Sequence, residues 1–283
     1  LPKSNELVVA GFLGKLKPAA EAGEKGDYRK AIQILRKLLS ETEAPAEAWL
    51  LLGRSFHALK DYSQALAGFS EYIRQKPDSP EGYLFLGRSY LAAQMPYRAV
   101  PYLRKALEKS PGSSNAKALL GIAYLKSKNS GAAVEMLQAA VEDAPANKRI
   151  YRAYLNALMV RGIRLCGNEE YDLGFQILTF VLANADEAGM ADSPILRLEL
   201  GRAARETGRM QEALKHFDEA LKLSGNDRRI RWSRASVLMS LGRNDEARTD
   251  IENIRSHDNN VPNLPWNSEL VDLFMIRSFI EAG

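Results

Sequence analysis

The chain has 283 residues, 46% apolar and 26% charged, a balance that supports a buried core and excludes a disordered chain. Its one cysteine, Cys166, excludes an intrachain disulfide framework and any multi-cysteine zinc or iron–sulfur centre. The net charge of +4 is too small to imply nucleic acid unless it is focused on one surface.

The chain opens Leu1-Pro2 rather than on Met, as a processed or trimmed piece would. The first apolar run, Leu7 to Leu13, is seven residues long; a membrane-spanning helix needs about 20. No small-residue cleavage site follows it, so the run is not read as a signal peptide. No transmembrane segment is predicted, and no compartment follows. The chain is expected to be soluble and to work within a larger or membrane-associated assembly. Residues 5–25 are predicted as one or two helices capping the N-terminal end.

A repeat begins downstream. Trp49-Leu-Leu-Leu-Gly53-Arg-Ser-Phe56 is followed by Tyr83-Leu-Phe-Leu-Gly87-Arg-Ser-Tyr90 and then by Lys117-Ala-Leu-Leu-Gly121-Ile-Ala-Tyr124, each 34 residues after the last. Behind each stretch come a small residue, a large apolar residue four later, and a proline: Ala65, Phe69 and Pro77; Ala99, Leu103 and Pro111; Ala133, Leu137 and Pro145. The small slot continues as Ala31 upstream and as Gly174, Ala213 and Ala247 downstream. Two antiparallel helices per unit account for the pattern. Gly and Ala mark the close approach of the pair, and the large residues fill the space around it at helical spacing. Turns fall at Gly26-Asp27, Lys60-Asp61, Gly208-Arg209 and Gly242-Arg243.

The fifth unit is seven residues longer between Pro145 and Gly174 than the regular units are over the same interval. Its first helix is predicted from about 148 to 166 and its second from about 170 to 188, with Leu155 in the glycine slot. This hairpin is expected to project. The seventh unit has Arg234-Ala235 in place of Leu-Gly. After it come a loop, Asn259 to Pro265, and an apolar helix, Ser268 to Ala282. That helix is apolar nearly all round, which favours a repeat cut short over a terminal cap.

The order aromatic, two residues, Leu-Gly, two residues, Tyr, then Ala, Phe and Pro is similar to that of the tetratricopeptide repeat family. The resemblance covers nearly the whole chain. It implies an all-α fold, a right-handed superhelical solenoid of antiparallel helix pairs forming one array over 1–283. The divisions are 1–45 (N-terminal helix and first degenerate repeat), regular repeats 46–79, 80–113 and 114–147, the extended repeat 148–193, repeats 194–227 and 228–261, and the C-terminal segment 262–283.

Chemistry is sparse. His57, His216 and His257 lie far apart without a second ligand at helical spacing, so no metal is expected, and His216 and His257 read as surface residues. Gly11-Phe-Leu-Gly14-Lys15 lacks the spacing of a phosphate loop. Glu169-Glu170 reads as charge at a helix start. Cys166 reads as structural rather than as a reactive thiol beside Arg164. The sequence predicts no enzyme and no cofactor.

Charge is segregated. The first helices of units two to seven, over 46–60, 80–94, 114–128, 148–168, 194–208 and 228–242, together carry +14, which leaves −10 elsewhere. Glu169 to Asp192 holds six acids and no base. The resemblance implies that first helices line a concave surface. Carried over residue by residue, its groove-facing slots are Leu50, Arg54 and His57; Leu84, Arg88 and Leu91; Leu125 and Lys126; Arg149, Arg152, Asn156 and Met159; Arg202 and Arg205; and Arg229, Trp232 and Met239. Arg54 and Arg88 stand where the family's carboxylate clamp has Asn, which counts against that mode. The expected partner is a protein contributing an acidic, partly apolar segment, bound by a scaffold or adaptor. Alternatives are an anionic polymer, either an acidic polysaccharide of an envelope export machinery or RNA, and self-assembly through exposed apolar ends. Trp232 alone among the groove positions offers a base-stacking surface, which disfavours RNA.

Overall fold

A computed structural model of the chain describes residues 3–41, 45–190, 192–225 and 227–256. His257, the predicted loop and the predicted C-terminal helix lie outside the described residues. Those described form helices joined by turns, with no strand. In order these are α1 (Lys3–Glu24), α2 (Tyr28–Glu41), α3 (Ala46–Ala58), α4 (Tyr62–Gln75), α5 (Pro80–Ala92), α6 (Pro96–Lys109), α7 (Ser114–Lys126) and α8 (Ser130–Asp143), then α9 (Lys148–Gly167), α10 (Tyr171–Asn184), α11 (Pro194–Glu206), α12 (Met210–Ser224), α13 (Arg228–Ser240) and α14 (Asn244–Ser256). The chain divides into two compact units, residues 1–154 and residues 155–283. Within each, helices pack in consecutive pairs, and each pair stacks on the next.

One contact recurs in every pair. A Cβ placed on Gly87 would lie 2.5 Å from Leu103 Cγ, and one on Gly201 would lie 2.5 Å from the Phe217 ring. Gly53 meets Phe69, Gly121 meets Leu137 and Gly162 meets Leu178 in the same way. In each case the large residue lies 16 positions after the glycine, and a buried small residue (Ala65, Ala99, Ala133, Gly174 or Ala213) lies 12 after it. The end pairs use alanine: Ala19 with Ala31 and Leu35, Ala235 with Ala247 and Ile251, all buried. Removing the side chain on one helix lets the backbones approach, so the facing Leu or Phe fills the remaining space completely.

This contact corrects the register of the fifth pair: its glycine is Gly162, not position 155. Helix α9 has 20 residues, where α3, α5, α7, α11 and α13 have 13. It ends 5 residues after its contact glycine, as its counterparts do, but starts 14 before it where they start 7 before, so the added turns precede Gly162. Seven residues are close to two full helical turns, which keeps the packed face in phase. Its partner α10 has the ordinary 14 residues and ends at Asn184, short of the expected 188. The extra residues that follow form a turn through Gly189, whose φ is +62°, and a connection to Pro194.

The turn inside each pair places a residue in the left-handed region seven positions after the contact residue. Gly26, Gly208 and Gly242 fill this slot, but so do Lys60, Gln94, Lys128 and Glu169, with φ between 60° and 68°. Asp61 and Asn129 then cap the second helix, accepting from the backbone N–H of Gln64 and Ala132 at 3.2 Å.

Two outcomes follow. Ala99→Leu fills a fully buried slot and lowers stability by about 1–3 kcal/mol in a denaturant titration, where an unchanged midpoint would place Ala99 elsewhere. Lys128→Gly relieves a left-handed non-glycine residue and raises stability by about 0.5–1 kcal/mol in the same measurement.

Candidate binding surface

Within residues 1–154, first helices touch one another: α1 contacts α3, α3 contacts α5, and α5 contacts α7. In residues 155–283, α11 contacts α13. No comparable contact joins successive second helices among the described residues. First helices therefore form the inner layer of each unit.

A helix turns about 100° per residue, so a cation's distance from the contact residue decides what it meets. Four positions before the contact residue, and again one before, the side chain leans toward second helices. Lys117 there pairs with Asp143 at 2.5 Å. Arg197 pairs with Glu219, and with Asp192 at 2.7 Å. Arg231 and Arg234 converge on Asp250, which is 0% exposed: Arg231 Nη1 donates at 2.8 Å and Arg234 Nε at 2.6 Å, while a second Arg234 nitrogen reaches Asp218 at 2.8 Å. Much of the positive charge of these first helices is thus spent inside the fold.

One position after the contact glycine, the side chain faces away from the partner helix. Arg54 and Arg88 stand there, both exposed, and neither pairs with a carboxylate among the described residues. They border a cleft of about 410 Å³ between α1, α3 and α5, lined also by Glu24, Tyr28, Leu51, His57 and Phe85. The Arg54 guanidinium lies over the Phe85 ring, 5.5 Å from its centroid, an arrangement that orders the side chain without neutralising it. His57 Nδ1 is 2.9 Å from the Ser89 hydroxyl, and its ring stands edge-on to Tyr62 at 5.4 Å. Burial and then the nearby Arg88 charge pull the His57 pKa below its ordinary value, so the ring is neutral at pH 7. The positive charge of the cleft therefore comes from the two arginines, opposed by Glu24.

The remaining groove positions divide by exposure. Leu50 and Leu91 are buried and belong to the core, while Leu84 and Leu125 are half-buried. Lys126 is exposed and reaches the Gln94 side-chain carbonyl at 3.3 Å. Arg149 and Arg152 are exposed in the first two turns of α9, whose start is capped by Asn147 accepting from the backbone N–H of Arg149 at 3.1 Å. With Gly162 as the contact residue, Met159 takes the slot of Leu50 and Asn156 that of Glu47, while Arg149 and Arg152 lie on the added turns. In residues 155–283, Arg202 meets Glu199 at 3.3 Å, Arg205 meets Glu206, and Arg229 meets Asp227 at 2.8 Å. Trp232 and Met239 are half-buried.

Phe85 and Tyr28 had not been singled out from the sequence. Phe85 stands two positions before its contact glycine, outside the groove slots carried over, and Tyr28 opens a second helix. His216, expected at the surface, is buried against Phe175 at 6.4 Å and lies 3.5 Å from Arg197. Burial, then Arg197, lowers its pKa. Cys166 is buried against Gly174, and burial pushes its thiol pKa up, away from the reactive thiolate. Among the described residues no three His, Cys, Asp or Glu side chains are grouped to hold a metal, and no helix is long and apolar enough to cross a membrane.

Residues 24–88 and 90–157 match one tetratricopeptide repeat profile, and residues 180–228 and 198–254 match a second. No curated protein matches the chain. Solved structures that share its fold include the following three. A tetratricopeptide repeat protein from Parabacteroides merdae has a TM-score of 0.53 at 14% identity, covering 95% of this chain and 98% of its own. YrrB, described as a repeat protein with an unusual peptide-binding site, has a TM-score of 0.53 at 17% identity, covering 69% of this chain and 95% of its own. MamA has a TM-score of 0.51 at 19% identity, covering 60% of this chain and 96% of its own.

The division of cations has a direct consequence. Asp250→Ala leaves Arg231 and Arg234 facing a buried gap and lowers stability by about 3–5 kcal/mol. Thermal melting reads the change, and a melting temperature equal to the parent's would remove Asp250 from the core.

Proposed function

Because the chain belongs to the tetratricopeptide repeat family, we propose that it is a non-enzymatic interaction scaffold or adaptor that binds an acidic, partly apolar peptide segment. The first-helix face of residues 1–154 is the proposed site. The observation that carries the reading is the pair Arg54 and Arg88, exposed and without carboxylate partners among the described residues, at the rim of a cleft containing Phe85, Tyr28 and Leu51. An arginine rim holds carboxylates in forked hydrogen bonds, and the aromatic and aliphatic wall takes an apolar side chain between them. Lys126, Arg149 and Arg152 add positive charge to the same unit. Arg205 and Arg229 contribute less, because a ligand carboxylate there must first displace an intramolecular one. The peptide-binding description of YrrB agrees with this class of ligand.

The proposal is tested with a fluorescent 12-residue peptide alternating Glu and Leu around one central Phe. Arg54→Glu with Arg88→Glu is expected to weaken its binding at least tenfold without moving the melting temperature, and added salt is expected to weaken binding to the parent. Affinity unchanged by both reversals and by salt would reject the groove. Heparin binding that survives a saturating amount of the peptide would instead favour an anionic polysaccharide.

A further inference from the structure

The outer face of α10 differs from that of the other second helices. Leu173 and Phe180 stand 11 and 18 positions after the contact glycine and are 43% and 47% exposed. The same two positions hold Gln64 and Glu71 on α4, and Glu212 and Glu219 on α12. Seven residues apart, the two apolar side chains lie on one face of the helix, roughly 10 Å from each other along its axis.

The ends of this stripe are acidic. Glu169 and Glu170 precede the helix, Asp186 and Glu187 follow it, and all four are exposed and make no ion pair among the described residues. The segment from Glu169 to Asp192 contains no lysine or arginine. Two cations of neighbouring elements are engaged: Arg209 donates to Asp172 at 2.8 Å and lies 4.8 Å from the Phe175 ring centroid, and Arg197 holds Asp192. An apolar centre bounded by unpaired carboxylates at both ends selects its occupant by charge. It repels acidic segments and anionic lipid surfaces, and it attracts an apolar segment with cations at each end.

We propose that the outer face of α10 docks an apolar helical segment of a protein partner that carries Lys or Arg at both ends. The docking segment spans about four turns, the length of α10 itself. This site is independent of the Arg54–Arg88 cleft and opposite to it in charge, so one chain joins two partners of contrasting composition.

The test uses the full chain and two labelled 16-residue helical peptides with the same Leu/Phe stripe, one with two lysines at each end and one with glutamates there. Fluorescence anisotropy is expected to show the lysine-ended peptide binding at least tenfold more tightly. Leu173→Ser and Phe180→Ser, each at an exposed position, are each expected to weaken it at least tenfold with melting unchanged. Glu169→Gln with Glu187→Gln is expected to reduce both its affinity and the salt dependence. Binding of the acidic peptide at the Arg54–Arg88 cleft is expected to persist in all these variants, which separates failure here from failure there. Equal binding of the two helical peptides would overturn the proposal. So would a concentration-dependent dimer abolished by Phe180→Ser, or adsorption to uncharged lipid vesicles lost in that variant, since each would assign the stripe a different occupant.

Discussion

Every described helix pair is positioned by a near-contact between two helix backbones, permitted by a glycine or alanine and closed by a large side chain 16 residues later. Because glycine or alanine leaves no room for error, the pair has one register. The turn residue then falls seven positions on, and the small residue of the second helix falls 12 positions on. Length varies away from this contact, as in the two turns added at the start of α9 and in the connection between Asn184 and Pro194. Both insertions leave the pair they join intact, since close packing penalises a shift inside the contact far more than a longer helix or loop beside it.

The same register sorts charge into two uses. Lys117, Arg197, Arg231 and Arg234 project toward second helices and meet carboxylates there. The buried Asp250 shows how far this goes, because a carboxylate out of water must be matched in full. Arg54 and Arg88 project the other way and stay exposed. A total of cationic residues per helix cannot distinguish these uses, since the difference is an angle about the helix axis rather than a number. Two surfaces of unlike charge result: a cationic cleft on the inner layer of residues 1–154 and an acid-bounded apolar stripe on α10.

The fold was readable in advance because its signal repeats. Gly53, Gly87 and Gly121 at 34-residue intervals, with Ala65, Ala99 and Ala133 behind them, leave little choice of architecture. Register failed at the fifth pair because a seven-residue insertion is nearly in phase with the helix. Leu155 and Gly162 therefore sit on the same face, and only the contact with Leu178 selects Gly162. The second helix of that pair read as too long because the next small slot, Ala213, comes 39 residues after Gly174 instead of 34, and the five extra residues lie in the turn and connection after Asn184. The site was half readable. Arg54 and Arg88 follow from their place beside the contact glycines, but Phe85 and Tyr28 come from different elements, and nothing in their local sequence says they meet. His216 was misplaced because a lone polar side chain reads as exposed, whereas its position holds Ile34, Tyr102, Met136 and Ile177 in other second helices and is covered here by Phe175 and Arg197.

The central claim, that helix phase divides these arginines into structural and ligand-facing sets, is tested most directly by nitrogen-15 NMR of arginine side chains. The account predicts slow solvent exchange of the Nε proton of Arg234, which donates to Asp250, and fast exchange for Arg54 and Arg88 until an acidic peptide is added, when theirs alone slows. Equal exchange rates across all three, or protection of Arg54 and Arg88 in the free protein, would contradict it.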